Sequence, residues 1–115
     1  MTSKDILQVF NTYILLLKRA KQPTIELSSD IRDQIQQAVA DYGLDDVILV
    51  LQYLKDANDN YALFMRGEAY NSTQSWLSLV IIFKESKWNE KLAKARQWRS
   101  TKEIIHDLFI PFRIK

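Results

Sequence analysis

The sequence has no cysteine, so disulfides, thiolate nucleophiles and cysteine-ligated metals are excluded, and nothing in it calls for an oxidising compartment. It has one histidine, His106, so no histidine-based metal cluster can form within one chain. Asp107 is its sequence neighbour rather than a residue one helical turn away, and the pair reads as part of the last helix. Two glycines and two prolines leave no Gly-rich phosphate loop, and no nucleophile motif is present. Carboxylates gather at Asp30 and Asp33 and at Asp41, Asp45 and Asp46, but these positions fall at expected helix ends, where acids complement the helix dipole. The chain is therefore read as a non-enzyme with no catalytic residue, metal or cofactor.

Long apolar runs are also missing. "ILLL" at 14–17 and "LVIIF" at 79–83 are far shorter than the ~20 residues that span a bilayer. The N-terminal "MTSKDILQVFNTY" has neither a continuous apolar stretch nor a small-residue cleavage site. The expectation is a soluble, cytoplasmic protein with no membrane partner.

What is present is enough apolar material for one core: 115 residues, 47% hydrophobic and 26% charged. No repeat, low-complexity tract or linker divides the chain, so residues 1–115 are expected to form a single helical domain. Ser3 is expected to cap a first helix to about Ala20, with Ile6, Leu7, Phe10, Ile14 and Leu17 on one face and Pro23 beyond its end. Ser28 or Ser29 starts a second helix that Gly43 ends. Asp45 or Asp46 opens a third, "DVILVLQYLKDA", apolar around so much of its circumference that it should lie centrally.

"NDNYALFMRGEAYNSTQS" reads as a long irregular connection with an apolar knot at Tyr61, Leu63, Phe64 and Met65. "WLSLVIIF" is strand-like in composition, but no second such segment exists to pair with it, so a helix is expected. A fifth helix is expected from about Lys87 to Arg99. Ser100 with Glu103 suits the capping box of a sixth that ends before Pro111. The architecture is an all-α, compact bundle of five or six short helices.

The net charge of +2 hides an imbalance. Residues 1–83 hold seven Lys and Arg against ten Asp and Glu, and residues 84–115 hold nine against four. Helical spacing sets Lys87, Lys91, Lys94 and Trp98 on one stripe, with Lys84 joining if the helix begins early. Trp88, Leu92, Ala95 and Arg99 are assigned to the opposite side, with Trp88 and Leu92 as the expected core contacts. Such a ridge, extended by Arg96 and Arg99, can meet phosphates while Trp98 stacks on a base. The same pattern also suits lysines that simply solvate an amphipathic helix, with Trp98 packed on its neighbour. Arg66, before Gly67 and Glu68, is either a further phosphate contact or an ion-paired turn residue.

From Leu27 onward the order of features resembles a small helical domain near the C-terminus of bacteriophage and prophage replication proteins, of the replisome-organiser or helicase-loader type. The matching features are Ser28, Gly43, "DDVILVLQYL", "FMRGE" at 64–68, "IIF" at 81–83, Lys84, Trp88 and "EKL" at 90–92, within about residues 27–95. The resemblance implies a role in DNA replication or mobile-element nucleic-acid metabolism, with DNA or a nucleic-acid-bound replication protein as partner. The alternative is a protein-interaction adaptor or small inhibitor whose contact surface is apolar, formed by Tyr61, Phe64, Met65 and Tyr70.

Overall fold

The computed structural model describes residues 3–70 and 73–114, with residues 103–114 described through their backbone. Six helices follow one another among these residues: α1 (Ser3–Arg19), α2 (Ser29–Tyr42), α3 (Leu44–Asp56), α4 (Asn60–Arg66), α5 (Leu79–Ile82) and α6 (Glu85–Ile114). None of the described helices is long and apolar enough to cross a membrane.

The first three helices form where capping chemistry and apolar periodicity agree. α1 buries Ile6, Val9, Tyr13, Leu16 and Leu17, the three- and four-residue steps of an amphipathic helix. Ser28 caps α2, its hydroxyl accepting from the Ile31 N–H. Gly43, at φ 91°, closes α2 and opens α3 in one residue. Asp45 and Asp46 therefore sit in the first turn of α3 instead of capping it. α3 buries Val47, Leu49, Val50, Leu51, Tyr53 and Leu54 and touches α1, α2, α4 and α6, so it is the axis of the bundle. Each fully buried Leu or Val there contributes ~1.5–3 kcal/mol of transfer free energy.

The stretch from 58 to 70 is more regular than its composition suggests. Asp59 accepts from the Ala62 N–H and starts α4, while Gly67 ends it in the left-handed conformation at φ 76°. A Cβ at Gly67 would lie 2.7 Å from the Thr73 carbonyl oxygen, because the chain folds straight back over the end of α4. Trp76 N–H then donates to the Met65 carbonyl, and the Tyr13 hydroxyl donates to the Leu77 carbonyl. "WLSLVIIF" yields a single helical turn, α5, capped by Ser78. Tyr42 holds the next corner: its hydroxyl donates to the Phe83 carbonyl and its ring stacks on Trp88, centroids 4.2 Å apart.

One boundary is corrected outright. Ser100 lies inside α6, which runs unbroken past the expected stop to Ile114. A capping box starts a helix only if the preceding chain has left helical geometry. Residues 95–99 contain neither glycine nor proline, and nothing interrupts them.

Candidate functional site

The first half of α6 packs on α3, and that packing decides which of its cations face water. Trp88 and Leu92 are buried as expected, and Ala95 with them, but so is Lys91, at 2% exposure, and Trp98 is half-buried with its ring edge-on to Tyr53. The outward ridge of Lys87, Lys91, Lys94 and Trp98 is therefore not formed. Its geometry explains why. At about 100° per residue, that stripe lies beside the Trp88 stripe rather than opposite it, and an apolar face wider than ~100° absorbs part of both.

The remaining candidate cations separate accordingly. Lys94 is half-buried, its amine 5.3 Å from the centre of the Tyr61 ring. Arg96 is exposed and donates to Asp46 on α3 at 3.3 Å. Arg99 is exposed. Lys102, not considered from the sequence, has its amine 5.2 Å from the centre of the Trp98 ring. The side chain of His106 lies outside the described residues.

Arg66 belongs to the fold and not to a phosphate surface. It is 1% exposed, and its guanidinium donates to the Leu54, Lys55 and Ala57 carbonyls at 2.8, 3.3 and 2.6 Å. These are carbonyls at the C-terminal end of α3, the groups a helix leaves without internal partners. Two further bonds reach Asn58 and, at 2.7 Å, Glu68. Arg19 of α1 also donates to Glu68. Burial would by itself raise the Glu68 carboxyl, but the Arg66 hydrogen bond and the charges of Arg66 and Arg19 outweigh it and hold the group below the usual glutamate value. "FMRGE" thus reads, atom by atom, as a corner that ties α1, α3 and α4 together.

Where the ridge fails, a groove takes its place. Tyr61, Phe64 and Met65 of α4, with Trp76 and Ile81, line an open concavity of about 460 Å³ whose other side is Lys84, Lys87, Glu90 and Lys91. Two sets of residues read as separate candidates from the sequence, the lysines and the apolar knot, meet here. Tyr70 is fully exposed and stands outside this lining. Trp76 and Ile81 were missed, because their place depends on the chain folding back after Gly67. The sequence hint was a tryptophan directly after a long polar run.

The groove has an electrostatic character of its own. Burial pushes the Lys91 amine below the ordinary lysine range; Glu90 acts against this, while the charges of Lys84 and Lys87 add to it. Among the described residues Lys84, Lys87 and Lys91 form no ion pair. The floor is aromatic: Phe64 and Trp76 stack with centroids 6.0 Å apart and planes 16° from parallel. The indole N–H of Trp76 is buried without an acceptor among the described residues, a situation that costs ~1–3 kcal/mol. Burial, with Glu90 adding to it, also raises the Tyr61 hydroxyl.

Two other concavities lack this combination. One, of about 390 Å³ between α1 and residues 74–78, is lined by no charged side chain. The other, of about 240 Å³ between α2 and α5, carries only Asp41. Only the first joins several cations to a bed of aromatic rings, so among these three it is the one suited to a flat anionic ligand. No group of three or more potential metal-ligating side chains occurs among the described residues. Comparison with family models, with curated proteins and with solved structures gave no match for the chain.

Proposed function

We propose that the protein is a non-enzymatic helical module of DNA replication or mobile-element nucleic-acid metabolism, and that it meets DNA, or a replication protein bound to DNA, at the groove between α4 and α6. The observation that carries this reading is the convergence of Lys84, Lys87 and Lys91 on an aromatic bed, with no ion pair among the described residues to neutralise them. Ammonium groups supply the sequence-independent attraction to phosphate, and rings supply contacts to bases. The likeness of "FMRGE" and the Lys84 to Trp88 segment to phage replication modules supports the same assignment, and a cytoplasmic location accords with it.

Labelled single- and double-stranded DNA titrated at two salt concentrations tests the reading. Affinity is expected to fall as salt rises, and the double variant K84A/K87A should lower the logarithmic salt slope by roughly 1.4–1.8, the value for two phosphate contacts. No detectable binding at low salt would reject direct DNA contact.

A second reading, a protein-interaction adaptor, is favoured by the 38% exposure of Phe64 and the full exposure of Tyr70. Capture of a partner that survives high salt and nuclease, and is lost in F64A protein that remains folded, would select it over the first.

A further inference from the structure

The groove is too apolar at its base to be a phosphate site alone and too cationic at its rim for a neutral ligand. Its floor presents the stacked rings of Phe64 and Trp76, and its other side is lined by Lys84, Lys87 and Lys91, of which Lys84 and Lys87 are exposed. A ligand that satisfies both halves carries a flat ring and a negative charge a short distance away. In a nucleic acid that pair occurs in every nucleotide, but a duplex keeps its ring faces stacked inside. Only an unpaired base has a face to offer.

We infer that the groove between α4 and α6 is a single-stranded DNA subsite, in which one unpaired base lies against Phe64 and Trp76 and the adjoining phosphates meet the exposed Lys84 and Lys87, with the buried Lys91 adding positive charge behind them. This deepens the DNA-binding reading and rests on it. The volume of about 460 Å³ falls among small-ligand sites and so accommodates one nucleotide. The open shape leaves room outside the groove for the neighbouring nucleotides of a strand, which a closed cavity would forbid. Glu90, on the same rim, repels a phosphate placed beside it, so the strand should be steered toward Lys84 and Lys87. Stacking accepts any base, so little sequence preference is expected.

The test uses the full chain with four probes of equal length: a thymidine oligonucleotide, a strand of abasic sites, a duplex and a uridine oligonucleotide. The abasic strand keeps the phosphates and lacks only the rings. Binding of the thymidine strand should exceed that of the abasic strand on the order of 10-fold, and F64A should erase most of that difference. The three tryptophans give three indole N–H resonances in a nitrogen-15 spectrum, and W76F identifies that of Trp76 by its loss. The Trp76 resonance should move saturably with the thymidine strand and stay in place with the abasic one.

Equal affinity for thymidine, abasic and duplex probes, or a Trp76 resonance unmoved during clear binding, would overturn the subsite and leave general DNA binding standing. Failure of every probe at low salt would remove both. A uridine strand that bound tighter than thymidine would overturn the choice of DNA as occupant.

Discussion

Two buried cations, one at the end of α4 and one on α6, have opposite surroundings. Arg66 is 1% exposed and makes five hydrogen bonds, three of them to carbonyls at the end of α3. Lys91 is 2% exposed and forms no ion pair among the described residues. A buried charge is tolerated when its hydrogen-bonding capacity is filled, and is a cost when it is not. The corner around Arg66 is therefore satisfied within the chain, whereas Lys91 has only the nearby charge of Glu90 acting in its favour.

The sharpest way to break this contrast is to neutralise both residues with methionine, which keeps an apolar stem of similar length. R66M should destabilise the fold by about 3 kcal/mol, since the α3 carbonyls lose their donor and Glu68 keeps only Arg19. Urea denaturation reads this directly, and an unchanged midpoint would show that the corner does not hold the bundle. Next in size is G67A, which forces a side chain into the left-handed conformation against the Thr73 carbonyl. A loss of about 2 kcal/mol is expected by the same measurement.

K91M should go the other way. Removing a buried amine that forms no ion pair among the described residues is expected to leave stability unchanged or raise it by about 1 kcal/mol, while DNA affinity falls severalfold. A K91M protein as unstable as R66M would erase the distinction between the two sites.

The smallest effect is in acid. The Glu68 carboxyl lies below its ordinary value of 4.5 in the folded chain, so it contributes stability that is complete above that pH and is lost as pH falls through the folded value. Midpoints measured from pH 6 down to pH 3 should decline in the wild type, and the E68Q decline should be shallower. Identical slopes would mean that the Arg66 pair does not couple to protonation.

Much of the fold was legible in the sequence, for reasons that individual residues make plain. α1, α2 and α3 announced themselves through Ser28, Gly43 and an apolar repeat, because local chemistry and burial select the same ranges. α4 was hidden by its polar flanks, although Asp59 and Gly67 were in sequence the cap and stop they prove to be. The candidate site was half legible. The lysines and the apolar knot were each visible, but their meeting depends on how the chain folds back at Thr73 to Trp76, which no local period encodes. The stripe of Lys87, Lys91, Lys94 and Trp98 misled because spacing ranks positions around a helix without saying how wide the covered arc will be.

The fold-back at Gly67 also decides where the chain can be lengthened. Two ties flank Tyr70, the tight approach of Thr73 to Gly67 and the hydrogen bond from Trp76 to Met65, while Tyr70 itself is wholly exposed. With both ends clamped, extra residues spliced beside Tyr70 enlarge a loop already closed, and each doubling of its length costs only about 0.6 kcal/mol. That position is a natural port for a fluorophore or an affinity tag.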